Sequence, residues 1–189
     1  MAKIRTFIAF ELPEAQKVSL RNLQSELKKL GGNVRWVRPD GMHLTLKFLG
    51  EIDESRIDEI STATKRVVLD IAAMKIQISG TGAFPHFRKP RVFWVGVNEP
   101  SGDLSALAGN IEEQLEQIGF QKEQRAFKPH LTLGRVKESR GLNAVIRHIQ
   151  TEEFDGGSFT AHKLVIMQSQ LKPTGAEYTP LRTIELATH

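Results

Sequence analysis

His43-Leu44-Thr45-Leu46 recurs as His130-Leu131-Thr132-Leu133, 87 residues further along a chain of 189. Alternate side chains of an extended strand share a face, so His43 and Thr45 are expected on one side and Leu44 and Leu46 on the other. The second copy repeats the arrangement with His130 and Thr132 against Leu131 and Leu133. Each copy thus reads as a half-buried strand that offers one imidazole and one hydroxyl to a shared face. A second tetrapeptide of this kind, histidine included, arises by chance only about a few times in a thousand at ordinary residue frequencies. The copies sit at comparable places in the two halves, which points to duplication. If the halves face each other, two imidazoles and two hydroxyls meet in one cleft.

Outward from the motifs, strands and helices alternate without a doubly wound order. Ile4–Leu12 reads as a strand, and Pro13 opens a helix whose Val18, Leu20, Leu23, Leu27 and Leu30 are expected to be buried, with Gly31-Gly32 as its stop. Val34–Val37 and Met42–Leu49 read as strands around a Pro39-Asp40-Gly41 turn, and Asp53 is expected to cap a helix to Leu69. Strands come next at Ile76–Phe84 and Arg91–Val97, then a helix at Asp103–Ile118 and the second motif strand at His130–Val136. A helical segment near Leu142–Ile149 precedes two final strands, Phe159–Lys172 and Tyr178–Leu186, turned at Pro173-Thr174-Gly175. Hairpin-length connections between strands predict an α+β fold. We expect one bilobed unit over residues 1–189 with pseudo-two-fold symmetry. Two antiparallel sheets would face a central cleft, with helices on their outer faces.

Composition narrows the chemistry. With 40% hydrophobic residues the chain has enough apolar material for a core, and with no cysteine it can form neither disulfides nor thiolate metal sites. The expectation is a soluble cytoplasmic monomer, with no signal segment, no membrane partner and no protein partner implied. A net charge of +4 favours phosphate-bearing partners such as RNA. No HExxH motif or paired carboxylate accompanies either histidine, so neither a metal nor another cofactor is expected; no Gly-x-Ser-x-Gly elbow is present either. Two imidazoles supply a proton donor and a proton acceptor near neutral pH, and hydroxyls bind anion oxygens. That set suits phosphoryl chemistry.

The motifs sit in a longer ordered series. It begins with Arg5-Thr6-Phe7-Ile8-Ala9 through Pro13, then Trp36-Val37 and His43 through Gly50. It continues with Gly82 to Pro85, Pro90-Arg91-Val92-Phe93-Trp94, Arg125 through Arg135, and Ser169-Gln170-Leu171 with Gly175 and Tyr178. This series resembles the 2H phosphoesterases and, within them, the bacterial and archaeal RNA 2′,3′-cyclic phosphodiesterases also known as 2′-5′ RNA ligases. The resemblance implies metal-independent opening of a terminal 2′,3′-cyclic phosphate to a 2′-phosphate, with a feeble reverse joining activity. It implies His43 as general acid to the 3′ oxygen, His130 as the base that activates water, and Thr45 and Thr132 as phosphate holders. Family members commonly carry Ala where this chain has Gly134.

Type and position nominate further site residues. Arg135 is expected to contact phosphate. Phe48 either stacks on the terminal base or packs in the core. Arg125, with Arg91 and Arg88 behind it, is a candidate for the RNA backbone. The substrate is RNA with cyclic phosphate ends or a small cyclic nucleotide phosphate; an RNA-end binding module without catalysis is the alternative. His86 is placed at the cleft mouth or in solvent. His148, His162 and His189 lack a partnering Thr two residues on and are read as structural or surface residues, and Tyr178 and Trp94 as packing residues.

Overall fold

The computed structural model describes residues 2–173 and 175–187. The chain runs β1 (Lys3–Glu11), α1 (Glu14–Lys29), β2 (Val34–Trp36), β3 (His43–Asp53), α2 (Ile57–Val68), β4 (Met74–Phe84) and β5 (Val92–Asn98). It continues with α3 (Asp103–Gln117), β6 (His130–Val136), α4 (Asn143–Thr151), β7 (Asp155–Ala161), β8 (Lys163–Lys172) and β9 (Gly175–Glu185). Single 3₁₀ turns at Pro39–Gly41 and Glu54–Arg56 lead into and out of β3. Two sheets form, ordered β3-β1-β8-β9 and β2-β6-β5-β4-β7, and every ladder within them is antiparallel. The architecture is the expected α+β pair of sheets, with one motif strand in each.

One apolar cluster runs through both sheets and the helices. It joins Ile8, Phe10 and Leu44 of the first sheet to Phe93, Val95, Leu131 and Leu133 of the second, with Leu104, Leu107 and Ile111 of α3. The opposite face of the first sheet carries a separate buried cluster, Phe7, Ala9, Val165 and Met167, with Tyr178 against it. The register explains the split, because Ala9 pairs with Thr45 and Val165, and Phe7 with Phe48 and Met167. Paired residues share a face, so this second cluster underlies the same side as His43 and Thr45. The first sheet also curls. In a flat four-stranded sheet the outer strands lie about 14 Å apart, yet the rings of His43 on β3 and Tyr178 on β9 have centroids 4.9 Å apart.

Several sequence expectations need correction. Phe159–Lys172 is two strands, broken at His162, with β7 at the edge of the second sheet and β8 inside the first. An unbroken run of strand-forming residues hid the crossing. Burial reveals it: β7 is alternately exposed and covered, whereas Leu164 to Met167 are buried in succession because both faces of β8 are covered. Val18 of α1 is 41% and Leu30, at its C-cap, 37% exposed, and Gln16 and Gln24 are buried in their stead. Those glutamines fall on the helix stripe with Leu20, Leu23 and Leu27, and both reach strand carbonyls: Gln16 Nε2 donates to Ser158 O, and Gln24 Nε2 to Val37 O and Leu133 O. Asp53 ends β3 and makes no side-chain cap; a 3₁₀ turn precedes α2. Of the expected Pro173-Thr174-Gly175 turn, Thr174 lies outside the described residues, as does His189.

Candidate active site

The two motif strands meet across a cleft of about 1990 Å³ whose walls include His43, Thr45, His130 and Thr132. Their leucine partners, Leu44, Leu46, Leu131 and Leu133, are buried in the main core. Both imidazoles are tethered in the same way. His130 Nδ1 lies 2.7 Å from the carbonyl of Lys128, and the His43 ring donates to the carbonyl of Gly41. In each case the acceptor is two residues upstream, which fixes the ring and leaves its other nitrogen for the cleft.

The surroundings of the two rings differ. His43 lies edge-on to Phe7, with centroids 5.6 Å apart, and to Tyr178 at 4.9 Å. Burial holds its pKa below the ordinary imidazole value, helped by the Lys17 cation and opposed by the Gly41 carbonyl and the Glu11 carboxylate. Glu11 is the cross-strand partner of His43. Among the described residues His130 has one aromatic neighbour, the ring of Phe84 at 5.1 Å, which itself packs on Trp94 at 5.3 Å. Burial raises the Tyr178 hydroxyl above its ordinary pKa, and the cations of Arg135 and Arg5 act against that rise. Arg135 and Arg5 come from opposite sheets, so the phenol faces both walls of the cleft.

A β-bulge sets the facing of the residues just after each motif. In β3, Ile8 pairs with Lys47 and Ala9 with Thr45, leaving Leu46 as the extra residue. In β6, Phe93 pairs with Gly134 and Trp94 with Thr132, leaving Leu133 extra. An extra residue reverses the alternation beyond it. The fourth residue after each His, Lys47 or Gly134, is therefore buried, and the fifth, Phe48 or Arg135, lines the cleft. Phe48 is 58% exposed, beside Phe7 at 6.0 Å, and is not a core residue.

The buried members are accommodated individually. Lys47, 3% exposed, places Nζ 2.6 Å from Glu112 Oε2 on α3 and 2.7 Å from the Gln121 carbonyl, tying β3 to the segment that leads to His130. At Gly134 a Cβ would come within 2.7 Å of Val34 and 3.0 Å of Trp36, so the small residue fits the close approach of β2. The carbonyl of the bulged Leu133 accepts from Val37 N and from Gln24 Nε2 at 2.9 and 2.8 Å.

Arg125 lines the cleft, as does Arg91, but Arg88 does not; Lys89 is the cation that the Pro85–Pro90 loop contributes, beside an exposed His86. His148 lies 3.9 Å from Glu26, and His162 is exposed away from the cleft. Trp94 packs as expected, while Tyr178, read as packing, also forms part of the cleft wall. Sequence reasoning did not single out Lys47, Glu112, Arg5 or Arg35; Lys47 in an otherwise apolar strand was the available signal. Among the described residues no three His, Asp or Glu side chains converge as a metal site, and no helix is long and apolar enough to cross a membrane.

The family model of the 2′-5′ RNA ligase superfamily matches residues 13–173 of this chain. The RNA 2′,3′-cyclic phosphodiesterase of Archaeoglobus fulgidus is 35% identical over 183 residues, covering 96% of this chain and 100% of that protein. The RNA 2′,3′-cyclic phosphodiesterase of Thermotoga maritima is 35% identical over 178 residues, 94% of this chain and 93% of its own. Among solved structures, a protein of Thermus thermophilus superposes with a TM-score of 0.82 at 27% identity, covering 97% of this chain and 98% of that one. The E. coli LigT complex with 3′-AMP shares the fold, with a TM-score of 0.81 at 24% identity over 99% and 100% of the two chains.

Proposed function

The chain belongs to the 2′-5′ RNA ligase superfamily, and on that basis we propose that it is an RNA 2′,3′-cyclic phosphodiesterase working by paired-histidine acid–base catalysis. The observation that carries the reading is the pair of tethered imidazoles, each beside a threonine, on the two walls of one cleft. Water attacks the cyclic phosphorus in line with the bond to the 3′ oxygen. His130 takes the proton from water as the P–O bond forms, and His43 delivers a proton to the departing 3′ oxygen, leaving a 2′-phosphate. The Thr45 and Thr132 hydroxyls donate to the non-bridging oxygens and hold the phosphorus between the rings. Arg135 offsets the charge that gathers there, Phe48 gives the terminal base an exposed face to stack on, and Arg125 meets the RNA backbone. With the 5′-hydroxyl of a second RNA in place of water, His130 takes the hydroxyl proton, the P–O3′ bond breaks with a proton from His43, and the ends are joined feebly through a 2′-5′ linkage. The same reading takes residues 1–189 as one bilobed unit whose halves each supply one motif.

The test is ring opening of an RNA bearing a 2′,3′-cyclic end, in excess EDTA. We expect a 2′-phosphate product, and a loss of about 10²–10⁴ in turnover for His43→Ala and for His130→Ala, with the fold retained. No ring opening, or strict dependence on added metal, would overturn the reading. Rates on oligomers of increasing length separate an RNA enzyme from one for small cyclic nucleotides, and single-turnover product formation separates an enzyme from a binding module.

A further inference from the structure

Resting on that reading, we propose that Arg35, together with Arg135, forms a second phosphate subsite that takes the internucleotide phosphate preceding the cyclic end. Arg35 on β2 and Arg135 on β6 are direct cross-strand partners, so they share a face, and both line the cleft. Like charges placed directly opposite each other on neighbouring strands repel. The usual relief is an intervening carboxylate. Among the described residues none forms an ion pair with Arg35 or Arg135, nor with the adjoining cleft cations Arg91 and Lys137. The carboxylates that line the cleft, Glu112 and Glu123, are on or near α3, and Glu112 is already bound to Lys47.

Position argues that this corner serves a second group. Arg135 is three residues beyond Thr132, about 10 Å along an extended strand, and Arg35 is about 5 Å further across the sheet. The long Arg135 side chain can lean back toward a phosphate held between the two threonines, but that phosphate does not extend to Arg35 as well. Space is available, since the cleft of about 1990 Å³ exceeds the roughly 300–1,000 Å³ of ordinary small-molecule sites. The donors define the ligand class. Two guanidinium forks match the oxygens of a phosphodiester, and a phosphodiester supplies the negative charge whose absence leaves them repelling. A 5′-terminal phosphate shares this chemistry, so the test must separate the two.

The experiment compares kcat/KM on a dinucleotide ending in a 2′,3′-cyclic phosphate with the same dinucleotide joined by a neutral methylphosphonate. The second base is kept and only the charge is lost. The wild-type protein should favour the phosphodiester by about tenfold or more, the worth of a hydrogen bond to a charged group. Arg35→Gln should bring that ratio close to one, and Arg35→Lys should restore part of it by charge without the fork. Urea unfolding should show Arg35→Gln no less stable than wild type, because a repulsion has been removed. A wild-type ratio near one, or a ratio untouched by Arg35→Gln, overturns the subsite. Adding a 5′-phosphorylated mononucleotide cyclic phosphate tests the other source, and a gain confined to it overturns the internucleotide assignment. Failure of wild type to open any of these substrates overturns the proposed function itself.

Discussion

Replacing Lys47 by Met tests how the motif strands are held. The side chain is 3% exposed, and its ammonium lies 2.6 Å from Glu112 Oε2 and 2.7 Å from the Gln121 carbonyl. Lys47→Met keeps the apolar stem but leaves Glu112, itself only 16% exposed, with one remaining partner, the Glu123 amide at 3.2 Å. Removing one member of a buried ion pair costs about 3–5 kcal/mol, because the other charge stays buried. That is a fifth or more of the roughly 5–15 kcal/mol that holds a typical domain. Glu112→Leu should be costly for the same reason, whereas Lys47→Met with Glu112→Leu replaces the pair by apolar contact and leaves no orphan charge. The double variant should therefore lose about 2–3 kcal/mol less than the sum of the singles, a coupling within the range of directly contacting residues. Urea denaturation of all four proteins gives each term from the midpoint and slope. A loss below about 1 kcal/mol for Lys47→Met, or additivity of the two substitutions, would show that the pair does not hold β3 to the segment before His130.

The site supports three other expectations. Tyr178→Ser lets water reach His43 and should raise its pKa from the depressed value that burial imposes. A general acid is active when protonated, so activity is lost as pH rises through its pKa; the alkaline limb of the kcat/KM profile should move to higher pH. Movement of the acid limb instead would make His43 the base. Gly82→Ala would bring a Cβ within 2.6 Å of the Trp94 ring. Overpacking of this kind costs about 1–3 kcal/mol, and displacement passed through Trp94 and Phe84 to His130 should lower kcat, measured beside a urea melt. Gln24→Leu removes the side-chain donor to Val37 O and Leu133 O, and should cost about 1–3 kcal/mol by the same melt, with weakened substrate binding because the bulge that aims Arg135 loses its support.

Local periodicity made most of the elements legible, since apolar spacing in α3 and strict alternation in His43–Leu46 and His130–Leu133 are properties of short stretches. What escaped was set by partners distant in sequence. Val18 and Gln24 lie on the same helix, yet Gln24 is the buried one because the carbonyls of Val37 and Leu133 await a donor there. Nothing near His162 announces a change of sheet, because β7 and β8 have similar strand propensity and differ only in what covers their faces. Tyr178 reads as a packing residue until curling of the first sheet brings β9 against His43. Arg88 and Lys89 are neighbours of like charge, and only the course of the loop decides which lines the cleft.

The two bulges bear on how identical tetrapeptides can do unlike work. Strict alternation would have put Lys47 and Gly134 in the cleft and sent Phe48 and Arg135 inward with the leucines. The extra residue at Leu46 and at Leu133 reverses both, by the same step at the same place in each half. The repeat therefore extends beyond the four quoted residues to a shared backbone device, and that device brings out the first cleft-facing position at which the halves differ in chemistry. One half presents an aromatic face, the other a guanidinium. The imidazoles are likewise equal in their tethers and unequal in their company, with Phe7 and Tyr178 around His43 and Phe84 against His130. Opposite proton roles need no difference within the motifs. The proposed division rests on unlike neighbours around two identically mounted rings, and the proposed direction of a bound strand on a stacking face and a cation set on opposite walls.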